Sequence, residues 1–178
     1  MMEFSHVDRS NEKSTGDINR AIESTLIVVG NELKHVADVE TELGELPAVP
    51  CQLGDLNQVF LNLLINAAHA IGDLVKGTEA RGVIHVTTRA DGDWVEVAVT
   101  DSGTGIPEEV RDKMFDPFFT TKEVGKGTGQ GLALARAVVV DNHGGTLTFV
   151  TEMGKGTTFV VRLPLHAAEV KEEALVRE

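Results

Sequence analysis

The sequence predicts an α+β fold, a two-layer α/β sandwich whose mixed, mostly antiparallel sheet carries helices on one face. Most of the predicted strands follow one another through short turns, which favours hairpins over crossover units. Long amphipathic helical patterns, the strongest at residues 55–75, provide apolar stripes that need a sheet to cover them. A two-layer arrangement satisfies both requirements.

The composition is that of one domain of ordinary size with short extensions. Of the 178 residues, 42% are hydrophobic but only 4% are aromatic, so we expect an aliphatic core. The net charge of −12 argues against nucleic acid as a partner, because phosphate neutralisation needs clustered Lys and Arg. The single cysteine, Cys51, excludes an internal disulfide and suits a reducing cytoplasm. No signal peptide or apolar run of about 20 residues is visible, so direct membrane contact is not expected.

The chain divides into three parts. Residues 1–16 are polar and lack periodicity, which predicts a linker, and residues 166–178 form a charged tail. The domain itself is predicted over 17–165. It begins with a helix capped by Asp17, followed by a strand at 35–43 and a turn flanked by prolines.

The remaining elements follow from periodicity and turn residues. In helix 55–75, Asp55 and Gln58 are spaced for a capping box. We further predict strands 82–90 and 93–101 joined at Asp91-Gly92, a short helix from Pro107, a helix over 131–142 ending at "HGG", and a final hairpin of "GTLTFV" and "GTTFVVRLP". Residues 115–131 are rich in Gly and Thr, which predicts a mobile loop.

Polar residues form a stripe along helix 55–75, opposite its apolar face. Asn62, Asn66, His69 and Asp73 recur at spacings of four, three and four. A solvated helix face is the simpler interpretation. Asparagine is nevertheless a poor helix former, and two of them one turn apart indicate amide oxygens aimed at a common target. Mg²⁺ with phosphate ligands would suit such oxygens.

The stretch "TDSGTGIP" at 100–107 has two interpretations. Asp101 follows a strand, and two glycines after it permit close approach of a ligand. An aspartic protease would need a second copy of this motif or a dimer, because two carboxylates must share a proton. The sequence contains no second copy, so a nucleotide-binding turn is favoured.

Two further glycine-rich stretches are candidates for phosphate contacts. In "FDPFFTTKEVGKGTGQGLAL" (115–134), alternating glycines lead into a helix start, where backbone N–H groups favour phosphate. A flexible loop would explain the glycines but not their position before a helix. "GKGTTF" (154–159) alone is an ordinary turn.

Taken in order, "NLLINAAHAI", "DSGTGIP", "FDPFFTTK", "GKGTGQGLAL" and "GKGTTF" resemble the motifs of the catalytic, ATP-binding domain of sensor histidine kinases, in the GHKL ATPase superfamily. The resemblance covers roughly 17–165. It implies a GHKL-type fold with ATP and Mg²⁺ as cofactors. It also implies that residues 1–16 connect to an upstream dimerisation domain.

The resemblance implies a role for each matched position. Asn66 would ligate Mg²⁺, and Asn62 lies where gyrase-like relatives carry the glutamate that activates water. Asp101 would accept a hydrogen bond from the adenine amino group, supported by Thr157 through water. The implied nucleotide-binding set is Asn62, Asn66, His69, Ala70, Asp101, Gly103, Gly105, Ile106, Lys122, Gly127, Thr128, Gly129, Gly131, Leu132 and Thr157.

Lys122 is the third implied catalytic residue beside the two asparagines. With the glycines that follow, it would cover the phosphates as a lid, so residues 119–128 are expected to become ordered with nucleotide. Many relatives carry Lys or Arg where this chain has His69. A neutral imidazole contributes less to phosphate binding, so Lys122 and Lys126 are expected to contribute more of it.

The leading functional hypothesis is therefore a kinase module. It would transfer the γ-phosphoryl group of ATP to a histidine on a separate dimerisation domain, from which a response regulator receiver domain takes it. The alternatives are a nucleotide-dependent switch and a gyrase-like ATPase, the latter disfavoured by Asn62. His6 is interpreted as part of the linker, because Val7 replaces the acidic neighbour that acceptor histidines have in this family.

Overall fold

The computed structural model of the protein describes residues 14–116 and 131–165. The strands are β1 (Ser14–Gly16), β2 (Ala37–Leu43), β3 (Val49–Cys51), β4 (Gly82–Asp91), β5 (Trp94–Asp101), β6 (Thr146–Glu152) and β7 (Gly156–Pro164). The helices are α1 (Ile18–Lys34), α2 (Leu53–Val75), α3 (Glu108–Arg111) and α4 (Gly131–Arg136), which continues as a π-helical segment, Ala137–Asn142.

Five strands form the main sheet in the order β2-β4-β5-β7-β6. Strand β2 runs parallel to β4, and the other three pairings are antiparallel. The predicted mixed, mostly antiparallel sheet is therefore confirmed. In the register of β5 and β7, Asp101 lies opposite Thr157 at the end of the sheet where the site is built.

The core lies between this sheet and the long helices. Strand β5 alternates buried and partly exposed residues, with Val95, Val97 and Val99 turned inward. Helix α2 contacts α1, α4 and the strands β4 and β5. Its buried stripe is Leu56, Val59, Phe60, Leu63, Leu64, Ala67, Ala68 and Ile71. The opposite face of α2 is thereby left for polar side chains.

Helix α2 is also the one described helix that is long and apolar enough to cross a membrane by length and composition alone. Its apolar face is part of the core of this fold. A central helix of a soluble domain passes the same test, so the finding adds no membrane segment to the architecture.

The predicted start of α2 is wrong. The helix begins at Leu53 with Gln52 as its N-cap, so Asp55 lies within the first turn instead of capping it. Gln58 does not close a capping box; its Nε2 donates to Oδ1 of Asn62 at 3.0 Å. The Gln58 side chain therefore bonds to another side chain one turn further along the helix, instead of to the backbone at the helix start.

Near the N-terminus, the structure differs from the prediction in two places. Asp17 caps α1 as predicted, accepting a hydrogen bond from the Arg20 N–H. Strand β2 starts at Ala37, later than predicted, because a turn follows the end of α1. Ser14–Gly16, in the expected linker, pairs with Val49–Cys51, in the expected turn. Strands of three residues are too short to show alternation.

The predicted helix 131–142 is regular only as far as Arg136. It then widens to a π-helix that ends at Asn142 with His143 as its C-cap, after which Gly144 adopts a positive φ of 68°. The ring of His143 is buried and uses both nitrogens. Its Nε2 accepts from the Gln52 N–H at 3.0 Å, so Nδ1 carries the proton and donates to the Val138 carbonyl at 2.8 Å. His143 thus fastens the end of α4 to the start of α2.

His143→Leu is expected to lower the free energy of unfolding by about 2–4 kcal/mol, because it leaves the Gln52 N–H and the Val138 carbonyl without this partner in a buried place. Urea denaturation of the parent and the variant measures the change. His85→Leu is the matched control, since His85 lies half-exposed beside Glu42. Equal effects of the two substitutions would contradict the role given to His143.

Candidate functional site

The polar face of α2 forms one wall of the site. Asn62 is half-buried and its amide is engaged, since Nδ2 donates to the Gly131 carbonyl at 3.2 Å and Oδ1 accepts from Gln58. Asn66, one turn further, is also half-buried, and its side chain forms no hydrogen bond with any residue that the structure describes. Asn62 therefore joins α2 to the start of α4, while the Asn66 amide is available to a ligand.

The turn after β5 forms the second wall. Asp101 is buried, and its Oδ1 accepts a hydrogen bond from the Gly103 N–H at 2.8 Å. Burial disfavours the charged carboxylate and raises the pKa of Asp101 to about 6, although backbone hydrogen bonds from Gly103 and Thr157 act in the opposite direction. A buried carboxylate has about four acceptor sites, so beside these two backbone hydrogen bonds it can still accept a hydrogen bond from a ligand.

Gly103 brings this turn against α2. A Cβ built on Gly103 would lie 2.6 Å from both the carbonyl carbon and the Cβ of Ala70. No side chain fits there, so the turn and the helix touch through backbone. This contact places the carboxyl of Asp101 beside the polar face that carries Asn66 and His69. His69 itself is exposed on that face.

Gly105 brings the same turn against the β6–β7 hairpin. Its φ is 83°, and a Cβ there would lie 2.6 Å from the Glu152 carbonyl oxygen. The contact is reinforced because the Gly154 N–H donates to the Thr104 carbonyl at 2.9 Å. The turn is thus held between a helix on one side and a hairpin on the other.

Three hydroxyl and amide groups meet behind this turn. Thr151 Oγ1 accepts from the Ile106 N–H at 2.9 Å and lies 2.8 Å from Thr157 Oγ1. It also donates toward the Gly156 carbonyl at 3.2 Å. Thr157 is buried beside Asp101, its register partner. The backbone of Ile106 and the hydroxyl of Thr157 are therefore connected through one side chain.

The start of α4 closes the described part of the site. Gly131 lies against Asn62, with 3.8 Å between a Cβ built on the glycine and the Cβ of the asparagine. Leu132 follows and is half-buried. The four lid residues Lys122, Gly127, Thr128 and Gly129 lie outside the described residues. The prediction that residues 119–128 become ordered when nucleotide binds also lies outside the described residues.

The structure brings the other predicted positions together at one end of the sheet. Asn62, Asn66, His69 and Ala70 lie on α2, Asp101, Gly103, Gly105 and Ile106 follow β5, Gly131 and Leu132 begin α4, and Thr157 lies on β7. These elements are joined by the contact of Gly103 with Ala70, the hydrogen bond of Asn62 to Gly131 and the pairing of Asp101 with Thr157.

Sequence reasoning missed Thr151. A signal for it exists in the alternation of β6, where Leu147 and Phe149 pack toward the core and Thr151 is the next residue on that face. A hydroxyl that follows two apolar residues on an inward face must find partners. Those partners are Ile106 and Thr157.

The donor set fits a nucleotide with its metal. Asp101 and Thr157 present a hydrogen-bonding edge suited to a base, and the Asn66 amide oxygen is a hard ligand of the type that Mg²⁺ accepts alongside phosphate and water. Among the described residues, no cluster of three or more His, Cys, Asp or Glu is placed to hold a metal ion.

The fold and this site together define a nucleotide-binding domain of the two-layer α/β type. The family model described as Histidine kinase-, DNA gyrase B-, and HSP90-like ATPase matches residues 52–167. The chain belongs to this family, and it is an ATP-binding domain.

Relatives of known function point to one branch of the family. The chain is 38% identical over 152 residues to Sensor histidine kinase ZraS of Escherichia coli (strain K12), covering 84% of this chain and 30% of ZraS. It thus spans less than a third of that relative's length.

Solved structures agree with this placement. The fold is similar to the catalytic domain of histidine kinase ThkA, with a TM-score of 0.73 and 31% identity, covering 86% of this chain and 98% of that one. It is also similar to histidine kinase ThkA in complex with the response regulator protein TrrA, with a TM-score of 0.70 and 26% identity, covering 93% of this chain and 46% of that one. The predicted histidine-kinase type of ATP-binding domain is confirmed.

Proposed function

We propose that this chain is the catalytic module of a sensor histidine kinase, acting in the cytoplasm. It binds Mg-ATP and presents the γ-phosphoryl group to a histidine on a separate dimerisation domain. A receiver domain of a response regulator then takes the phosphoryl group; the similar kinase ThkA has been solved in complex with the response regulator protein TrrA. The similarity to ZraS and to the ThkA catalytic domain supports this proposal.

Within this function, each wall of the site has its own task. Asp101 accepts a hydrogen bond from the adenine amino group, and Thr157 supports the base beside it. Gly103 and Gly105 hold the turn that carries Asp101 against α2 and against the β6–β7 hairpin. Asn66 supplies an amide oxygen to Mg²⁺. Lys122 and the glycines after it cover the phosphates.

Asn62 is the observation that separates a kinase from an ATPase. Hydrolysis needs a general base beside the attacking water, and an amide is not one. The Asn62 amide is moreover held between Gln58 and the Gly131 carbonyl. This position therefore supports the start of α4 instead of activating water, which favours transfer to an acceptor over steady hydrolysis.

A nucleotide-dependent switch is the second candidate. It would use the same base pocket and lid without transferring phosphate. The similarity of the whole described fold to a histidine kinase catalytic domain favours the kinase. Phosphate transfer distinguishes the two directly.

Incubated alone with γ-labelled ATP, the chain is expected to bind nucleotide without labelling itself, because His6 lacks the acidic neighbour of an acceptor. Adding a histidine-bearing dimerisation domain as a separate polypeptide should restore transfer. The rate should be low, since the high local concentration that a covalent link provides is lost. Acid-labile label on the added domain measures the reaction.

The control is the same dimerisation domain with its histidine replaced by Gln, which should remain unlabelled. Label on this chain itself would show that the acceptor has been misplaced. ATP binding without transfer to any supplied domain would favour the switch.

A further inference from the structure

We propose that Gln58 is a positioning residue of the site. Its side chain fixes the orientation of the Asn62 amide, and through that amide it holds the start of α4 in place for the phosphates of the nucleotide. The proposal rests on the function proposed above, in which the glycines that end at Gly131 cover the phosphates. It assigns a role to an exposed glutamine one turn before Asn62 on α2.

The orientation of the Asn62 amide follows from its partner on α4. The Gly131 carbonyl oxygen lies 3.2 Å from Nδ2 of Asn62, and a carbonyl can only accept a hydrogen bond. The nitrogen of the amide must therefore face Gly131, and the oxygen then faces Gln58. If the amide were turned over, two oxygen atoms would oppose each other at the start of α4.

Gln58 supplies the donor that this orientation requires. Its Nε2 donates to Oδ1 of Asn62 at 3.0 Å. Residues four apart on a helix are neighbours on its surface, so the two side chains meet within α2 itself. Asn62 thus donates on one side and accepts on the other, and both hydrogen bonds select the same orientation. A side chain at position 58 that could only accept would select the opposite one.

The Asn62 contact acts on the part of the site that is assigned to the phosphates. A Cβ built on Gly131 would lie 3.8 Å from the Cβ of Asn62, so α2 and the first residue of α4 are close together there. The base is assigned to Asp101 instead. Turning the Asn62 amide over should therefore lower the affinity for ADP and leave the affinity for adenosine, which has no phosphate, unchanged. General loosening of the domain would weaken both.

Two substitutions separate orientation from simple loss of a contact. Gln58→Met keeps the length of the side chain but offers no strong donor or acceptor, and water can replace the lost donor because position 58 is exposed. Gln58→Glu keeps the shape of glutamine, but an ionised carboxylate can only accept. It attracts Nδ2 of Asn62 and turns the amide over. The glutamate should therefore be the more damaging variant, although it resembles glutamine more closely.

The experiment measures the binding of ADP and of adenosine to the full chain by NMR titration. We expect the ADP affinity to fall about twofold in Gln58→Met and about five- to tenfold in Gln58→Glu. The adenosine affinity should stay within about twofold of the parent in both variants. Asp55→Asn is the matched control, because it changes an exposed charge by one unit about one turn earlier on α2. It should leave both affinities unchanged.

A double-mutant cycle separates the orientation of the amide from the added charge. Asn62→Ala removes the amide that Gln58 orients. In that background Gln58→Met should have no further effect, and Gln58→Glu should show only the effect of its negative charge on the phosphates. The difference between the effects of Gln58→Glu in the two backgrounds measures the orientation. Thermal unfolding of each variant establishes that it is folded.

Three outcomes overturn the proposal: Gln58→Glu binds ADP as the parent does, it weakens ADP equally with and without the Asn62 amide, or it weakens adenosine as much as ADP. The parent chain distinguishes these failures from a failure of the proposed function. If the parent binds ADP and Gln58→Glu binds it equally well, Gln58 alone has been misassigned. If the parent binds neither ADP nor ATP, the proposed function fails as well.

Discussion

Replacing Asp101 with Asn is expected to weaken the binding of ATP and ADP alike, by about 1.5–3 kcal/mol, because a charge-assisted hydrogen bond to the base is lost from a buried site. Calorimetry with each nucleotide measures the effect. Equal losses for ATP and ADP indicate contact with the base. A variant that lost ATP but kept its affinity for ADP would place Asp101 near the phosphates instead.

The same carboxyl predicts a pH dependence. Asp101 accepts the stronger, charge-assisted hydrogen bond only when it is ionised, and burial raises its pKa to about 6. Nucleotide affinity should therefore fall as the pH is lowered through about 6, reaching roughly a tenfold loss at pH 5. Asp101→Asn retains the titration of the phosphates but lacks that of the carboxyl. It should show a correspondingly smaller change.

The sign is opposite for the stability of the protein without nucleotide. A carboxyl whose pKa is raised on folding from 3.8 to about 6 binds its proton more tightly in the folded state. Stability should therefore decrease as the pH rises through this window, with the full penalty present above about 6. At pH 8, Asp101→Asn should have a thermal midpoint at or above that of the parent. The buried carboxylate that is proposed to bind the base is thus expected to make the parent protein less stable.

Replacing Asn66 with Ala is expected to remove the contribution of Mg²⁺ to ATP binding, at least tenfold in affinity, while leaving the fold intact. The amide is half-buried and makes no hydrogen bond to other described residues, so its loss strands no partner. Titrations with ATP in Mg²⁺ and in excess chelator measure the difference between parent and variant.

Asp73→Ala is the matched control on the same helix face, since Asp73 is exposed two turns further along α2. It should leave the Mg²⁺ dependence unchanged. Parent-like binding of Mg-ATP by Asn66→Ala would overturn the metal assignment. Asn62→Ala should behave differently again, because its amide has protein partners and its loss should lower stability.

Much of the fold could be predicted because long periodic segments carry their own signal. The stripe of α2 and the alternation of β5 each bury one face, and both were predicted with the correct type. Elements without that signal were missed. The three-residue strands β1 and β3 depend on each other's backbone, and a pairing across more than 30 residues leaves no trace in local periodicity.

The candidate site, too, could be predicted from the sequence only in part. Asp101 and the glycines around it were found because their types and spacing are unusual. Three features depend on tertiary contacts and were not predicted from the residues: the attachment of Asn62 to Gly131, the buried ring of His143, and the Thr151 hydroxyl. Each is a common polar residue whose partners lie far away in the sequence. Such residues are recognised only once the chain is folded.

The backbone contacts of Gly103 and Gly105 bear on drug resistance. An inhibitor that lies against this turn would press on main-chain atoms, and a point mutation at either glycine would drive a Cβ into Ala70 or into the Glu152 carbonyl. Loss of Asp101 would also remove the hydrogen bond that is proposed to hold the base of the nucleotide. Escape from such a compound is left to neighbours whose side chains can vary, chiefly Ile106 and the exposed Met153.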